Sequence, residues 1–107
     1  MTAALLYLAQ LGATLALEVP LAGAVAPRGL RRRTMAAAVA LNLCTHAAAS
    51  AAAWFLGLDW FALEVAVVVL EAIGYRTLVT LSLARALGLS VCANLLSAAA
   101  AIALTLA

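Results

Sequence analysis

The chain has 107 residues, of which 69% are hydrophobic and 9% are charged, and its formal net charge is +2. Soluble domains carry about 25% charged residues and roughly 45–50% apolar ones, so the composition excludes an ordinary soluble domain. The small net charge also argues against a nucleic-acid partner. We therefore predict an integral membrane protein in contact with the lipid bilayer, with residues 1–107 forming a single transmembrane domain.

Four hydrophobic segments predict an all-α, polytopic bundle of four transmembrane helices, since a helix needs roughly 20 apolar residues to cross a bilayer. Thr34, Asp59 and Ser82 are the expected N-caps of the second, third and fourth helices. The first segment lacks the basic start of a signal peptide and is interrupted by Glu18, so we read it as a membrane helix. The predicted helices span about 2–25, 34–56, 60–78 and 86–107.

Basic residues occur on one side of the predicted bundle only. They flank the first and third loops and are Arg28, Arg31, Arg32, Arg33, Arg76 and Arg85. Because basic loops stay in the cytoplasm, we predict that loops one and three are cytoplasmic and that both termini are outside. The expected location is the inner (plasma) membrane of a bacterial cell.

Each predicted helix carries polar residues on one face. In the third segment Glu64 and Glu71 are seven residues apart, close to two helical turns, so both leave the same side of the helix, where Tyr75 follows. The other segments contribute further polar positions at helical spacing, namely Glu18, then Asn42, Thr45 and His46, then Ser90 and Asn94.

These polar faces coincide in depth. At 1.5 Å per residue, one polar residue of each helix lies about 6–12 Å from the arginine-rich side, and His46 lies between this layer and Glu64. Ionisable groups in a membrane cost about 2.5–3.5 kcal/mol on insertion scales, which packing alone does not justify. We predict a cytoplasm-facing ion or proton site made of Glu18, Asn42, His46, Glu64, Glu71 and Asn94, supported by Thr45, Tyr75 and Ser90.

A bound divalent metal is an alternative use of the same residues, because carboxylates and an imidazole together suit such ions. His46, Glu71 and Glu64 are the candidate ligands, and the sequence indicates no other cofactor. The motifs HExxH and GxSxG are absent, so the chain is not expected to be an enzyme. Cys44 and Cys92 lack CxxC spacing and are predicted to be small buried apolar residues.

Two short stretches resemble known membrane proteins. Leu17-Glu18-Val19 in the first of four segments resembles the small multidrug resistance exporters, and this likeness implies that Glu18 exchanges protons for cationic drugs in an antiparallel homodimer. His46 and the two carboxylates of the third segment lie outside that pattern. The stretch Asn42–His46, with a Glu-rich third helix, resembles small bacterial four-helix membrane proteins to which we attach no function.

These observations favour a transporter or channel-like protein for a proton or small cation. One alternative is a proton-coupled exporter like the small multidrug resistance proteins. Another is a non-transporting subunit of a larger membrane complex, in which the polar groups join helices by hydrogen bonds. We also expect a homodimer or a higher assembly, because four short, Ala-rich helices enclose little volume.

Overall fold

The computed structural model describes residues 2–106, which form an all-α bundle. The four predicted helices are confirmed, and residue 107, the predicted end of the last one, lies outside the described range. A short 3-10 turn at Arg28–Leu30 precedes the second helix. The helices are α1 (Ala3–Val25), α2 (Arg31–Leu56), α3 (Trp60–Leu78) and α4 (Leu83–Leu106).

Two helices begin three residues earlier than predicted. The 3-10 turn leads directly into α2 at Arg31, so Thr34 lies inside the helix and donates a 2.7 Å hydrogen bond to the carbonyl of Leu30. The prediction of Thr34 as an N-cap is therefore wrong. Ser82 does cap α4, because its hydroxyl accepts a 3.2 Å hydrogen bond from the backbone N–H of Arg85, which places the first helical residue at Leu83.

The connection between α2 and α3 follows from three residues. Gly57 ends α2 in the left-handed conformation (φ 63°), which a residue without a Cβ adopts at little cost. Asp59 begins α3 as predicted, since its carboxylate accepts a 3.0 Å hydrogen bond from the backbone N–H of Ala62. The chain therefore reverses direction between the two helices within the segment 57–59.

The helices form a four-membered ring. Within residues 2–106, α1 packs against α2 and α4, α3 packs against the same two helices, and the diagonal pairs do not touch. Consecutive helices are antiparallel, so loops 26–30 and 79–82 lie at one end, here called the arginine end. The segment 57–59, Ala3 and Leu106 lie at the other, here called the turn end.

A small apolar core fills the arginine end of the ring. Its largest members are Tyr75 and Leu89, each 1% exposed, and alanines complete most of the remainder. The alanines let the helix backbones approach closely. The core consists of Ala22, Ala37, Ala38, Tyr75, Val79, Leu81, Ala86 and Leu89.

Two arginine side chains join neighbouring helices at the arginine end. Arg85, at the start of α4, donates a 2.8 Å hydrogen bond to the carbonyl of Val25 at the end of α1. Arg33, at the start of α2, donates one of 3.5 Å to the carbonyl of Leu78 at the end of α3. Both acceptors belong to a last helical turn, whose carbonyls have no partner within their own helix. The two side chains thus link opposite edges of the ring.

The outer surface of the bundle is apolar. Large hydrophobic side chains are exposed on all four helices, for example Leu8, Leu43, Val69 and Leu95. Cys44 and Cys92 are also exposed, so the prediction that they are buried is wrong. Three helical stretches, α1, Arg28–Leu56 and α4, are long and apolar enough to cross a membrane. The 19-residue α3 is not among them because it contains three charged residues, Glu64, Glu71 and Arg76.

Candidate functional site

A polar cavity lies between the four helices, with a volume of about 60 Å³. All four helices contribute to its wall, and within the described residues that wall contains two carboxylic acids and no Arg or Lys. The cavity therefore presents acceptor groups to whatever enters it. Its chemically distinctive side chains are Glu18, Asn42, His46, Glu64, Asn94 and Ser97.

The cavity extends towards the turn end. Gln10, Trp60 and Ala101 belong to its wall, and each lies in the half of its helix that reaches the turn end. The arginine end is filled by the apolar core around Tyr75 and Leu89. The polar layer is therefore closed on the side of the arginine-rich loops and continues into the cavity on the other side.

Glu18 is the buried carboxylate of the cavity wall. It is 1% exposed, and its Oε2 accepts a hydrogen bond from the Ser97 hydroxyl, which joins α1 to α4. Its Oε1 has no hydrogen-bond partner among the described residues, although it is buried. Buried polar atoms are nearly always hydrogen-bonded, so an unpaired carboxylate oxygen at a cavity is an available acceptor.

Glu71 is equally buried but is fully engaged by protein groups. Asn94 donates a 2.6 Å hydrogen bond to its Oε1, and Thr45 donates a 3.0 Å bond to its Oε2. These contacts join α3 to α4 and to α2. Among the described residues Glu71 is not part of the cavity wall. The two predicted carboxylates of the shared layer therefore differ: Glu71 connects helices, while Glu18 faces the cavity with one oxygen free.

The amide side chains of the predicted site lie on either side of the cavity. Asn42 donates a 2.8 Å hydrogen bond to the carbonyl of Ala38 in its own helix. Asn94 donates one of 2.8 Å to the backbone carbonyl of Ser90, in addition to its bond to Glu71. Ser90 donates 2.6 Å to the carbonyl of Val68 and so joins α4 to α3. Asn42 and Asn94 belong to the wall, whereas Ser90 holds the helices together behind it.

His46 and Glu64 complete the wall nearer the turn end. The ring of His46 lies against Tyr7, with ring centroids 4.6 Å apart, and its buried Nε2 has no hydrogen-bond partner among the described residues. Glu64 is half-buried and lies one turn from Trp60 on the same face of α3. The structure thus places five of the six predicted site residues in the cavity wall. Two are carboxylic acids, two are amides, and the fifth is His46.

The predicted metal ligands are not assembled. Within residues 2–106 no group of three His, Cys, Asp or Glu side chains is arranged to hold a metal ion. His46 and Glu64 share the cavity wall, whereas Glu71 is not part of it and is engaged by Thr45 and Asn94. Among the described residues the structure therefore does not bring His46, Glu71 and Glu64 together as a three-ligand metal site.

Tyr75, predicted to support the site, lies instead in the apolar core of the arginine end. Ser97 was not among the predicted site residues, although it follows Asn94 by three residues and so shares its helix face. Gln10, Thr14 and Ser50, which also line the cavity, were not predicted either. Comparison of the chain with protein-family models, with curated proteins and with solved structures found no match.

Proposed function

We propose that this protein is an integral membrane protein with four spans that handles a proton or a small cation, as a transporter or channel-like protein. The cavity between its helices is the binding site, and Glu18 is the charged group that meets the ion. Asn42, Asn94, Glu64 and His46 line the route to it. Thr45, Ser90 and Glu71 hold the surrounding helices in register.

The distribution of polar and apolar side chains supports membrane insertion. Large hydrophobic residues cover the outside of the bundle, while Glu18, Asn42, Glu71, Ser90 and Asn94 are buried inside it. A soluble protein has the opposite arrangement. The long axis measures 41 Å, which matches the roughly 40–45 Å of a bilayer with its headgroups.

Helix α3, with its three charged residues, fits the bilayer as a fourth span for a geometric reason. Its carboxylates Glu64 and Glu71 turn into the ring, while Val65, Val69 and Ile73 face outward and are about half exposed. Ionisable groups in membrane helices characteristically face the interior of a bundle or a watery cavity. The lipid would therefore meet an apolar surface on α3 as on the other helices.

The arginines give the orientation that we propose. All six basic residues lie at the arginine end, so that end is cytoplasmic and the turn end, with both termini, is outside. In this orientation the cavity opens towards the outside of the plasma membrane, and the apolar core closes its cytoplasmic side. The protein would exchange its ion with the outer compartment in the conformation described here.

One observation carries the functional proposal: a 1% exposed carboxylate, Glu18, keeps one oxygen unpaired at the wall of a polar cavity. A residue that served only to join helices would have both oxygens engaged, as Glu71 does. The contacts of Glu71 support, for that residue alone, the alternative in which polar groups merely join helices in a subunit of a larger complex. Glu18 does not follow that pattern.

Flux through liposomes that contain the purified protein tests this function. A trapped pH-sensitive dye reports protons, and matched gradients of NaCl, KCl and NH₄Cl report cations. We expect flux above that of empty liposomes, and Glu18→Gln should abolish it because an amide cannot carry the charge. The control is Asp59→Asn, which keeps the helix cap and lies outside the cavity wall.

Unchanged flux in Glu18→Gln, or wild-type flux no greater than that of empty liposomes, would contradict the proposal. Circular dichroism of each reconstituted variant shows whether its helices are intact. A loss of flux in Glu18→Gln supports the proposal only if this variant has the same helix content as Asp59→Asn.

A further inference from the structure

Two residues of the cavity wall each carry a buried polar atom without a hydrogen-bond partner. Among the described residues, the buried side-chain atoms that make no hydrogen bond are Glu18 Oε1 on α1 and His46 Nε2 on α2. Both residues belong to the wall of the same cavity. Leaving such atoms unpaired inside a protein is unfavourable, so the pair points to a ligand that would satisfy both.

The chemistry of the two atoms restricts the ligand. A carboxylate only accepts hydrogen bonds, and a neutral imidazole accepts at one ring nitrogen. No Arg or Lys is present in the described wall to supply donors. A ligand that satisfies both atoms therefore carries hydrogen-bond donors, and the Glu18 carboxylate favours a positive charge on it.

Metal ions fit this pair less well. Hard cations prefer a shell of oxygen ligands, and an imidazole nitrogen adds little to that shell. Transition metals do use imidazole, but within residues 2–106 no third His, Cys, Asp or Glu joins the group in a metal-binding arrangement. Glu18 Oε1 and His46 Nε2 thus favour a cation that binds through hydrogen bonds over a coordinated metal ion.

The size and the aromatic surroundings of the cavity restrict the ligand further. A cavity of about 60 Å³ is large enough for a cation of the size of a few atoms. Trp60 forms part of the wall, and Tyr7 packs on His46. Aromatic faces attract ammonium groups through their ring electrons.

We propose that the cavity selects a small ammonium-type cation, the ammonium ion or a short primary alkylammonium, with Glu18 Oε1 as counter-ion and His46 Nε2 as hydrogen-bond acceptor. This inference rests on the proposed function, because it names the class of cation that the same site handles. Asn42 and Asn94 supply further amide oxygens at the inner side of the cavity.

Potassium is the matched probe for this selectivity. Ammonium and potassium ions are close in size and equal in charge, so a difference in their binding isolates the contribution of the N–H donors. Binding is measured by isothermal titration calorimetry on the purified protein in nanodiscs at pH 7, with NH₄Cl, methylammonium chloride, KCl and tetramethylammonium chloride. The last of these carries the charge without any N–H donor.

Fluorescence provides an independent readout in the same samples. Trp60 lines the cavity and Trp54 does not, so Trp54→Phe leaves a single tryptophan that reports on the site. We expect saturable binding of ammonium and methylammonium at least tenfold tighter than that of potassium or tetramethylammonium. Trp60 emission should change with the first two salts only.

Two variants test the roles proposed for Glu18 Oε1 and His46 Nε2. Glu18→Gln should abolish ammonium binding, and His46→Phe, which keeps a ring without an acceptor, should weaken it about tenfold and bring it close to that of potassium. Asp59→Asn should bind as the unmodified protein does. Thermal unfolding of each variant in the same nanodiscs verifies that it is folded.

Equal binding of ammonium and potassium, with both lost in Glu18→Gln, would overturn the ammonium inference and leave the proposed cation function intact. Unaltered selectivity in His46→Phe would also overturn it. If none of the four salts binds, the ammonium inference is wrong whatever the liposome experiment shows. The liposome experiment tests the proposed function separately.

Discussion

Asn94 donates a 2.6 Å hydrogen bond to the carboxylate of Glu71 and thereby joins α4 to α3 in the buried interior. Thr45 occupies the other oxygen of Glu71 from α2. The side chain of Glu71 thus links α3 to both α2 and α4. This arrangement separates the structural role of Glu71 from the ion-binding role that we propose for Glu18.

The first prediction follows from this difference. In Glu71→Gln the amide oxygen can accept from Asn94, and the amide nitrogen can donate to Thr45, whose hydroxyl also donates to the carbonyl of Leu41. We expect Glu71→Gln to keep its melting temperature and its flux, since every hydrogen bond has a replacement. Glu71→Leu should lose about 1–3 kcal/mol of stability because it leaves Asn94 without its acceptor.

Thermal unfolding in mild detergent and liposome flux, measured on both variants, check this prediction. Loss of flux in a stable Glu71→Gln protein would show that Glu71 itself exchanges the ion.

The second prediction concerns the contact between α2 and α3. A Cβ added at Gly74 would collide with the side chain of Leu41, whereas one added at Gly88 would meet no atom within 4 Å. Gly74→Ala should therefore destabilise the protein by about 1–3 kcal/mol, as overpacking does. Gly88→Ala is the matched control and should be neutral or stabilising by up to about 1 kcal/mol. Equal melting temperatures for the two variants would mean that the helices are not packed as described.

The third prediction concerns orientation. In a protein with Cys44 and Cys92 replaced by Ala, a single cysteine is introduced either at Gly29, at the arginine end, or at Leu58, at the turn end. Both positions are exposed. A membrane-impermeant thiol reagent added to intact cells should label Leu58→Cys and should label Gly29→Cys only after the membrane is opened. The reverse pattern would invert the topology.

The fourth prediction is that the protein forms a homodimer or a higher assembly. The polar cavity of a single protomer has a volume of only about 60 Å³, and the apolar surface of the protomer leaves room for a second copy in the membrane. Light scattering in mild detergent, corrected for bound detergent, should give at least twice the mass of one 10.9 kDa chain. A monomeric mass at every protein concentration tested would contradict it.

The sequence predicts the helices and the shared polar layer because both depend on local rules. Apolar length and the cap at Asp59 place α3, and a fixed rise per residue brings Glu18, Asn42, Glu71 and Asn94 to similar depths. The start of α2 was missed because the 3-10 turn at Arg28–Leu30 continues into the helix and makes a cap at Thr34 unnecessary.

The distinction between the carboxylates depends on contacts between helices, which spacing along one helix does not determine. Donors from two neighbouring helices occupy both oxygens of Glu71, whereas the Ser97 hydroxyl occupies one oxygen of Glu18. The side on which the cavity opens has a similar origin. The large side chains Tyr75 and Leu89 fill the ring at the arginine end, so the cavity opens at the other end. The depths of the polar residues alone do not predict this, because they contain no information on side-chain volume.

The arginine bonds to Val25 and Leu78 give the bundle an uneven stiffness along its length. At the arginine end all four edges of the ring are tied, two by these bonds and two by the loops 26–30 and 79–82. At the turn end, within residues 2–106, the chain ties only α2 to α3. The seam between α1 and α4 is the one edge of the ring that no loop closes at either end, and the hydrogen bond from Ser97 to Glu18 lies partway along it. A separation of α1 from α4 at the turn end would therefore have to break the contact that holds Glu18.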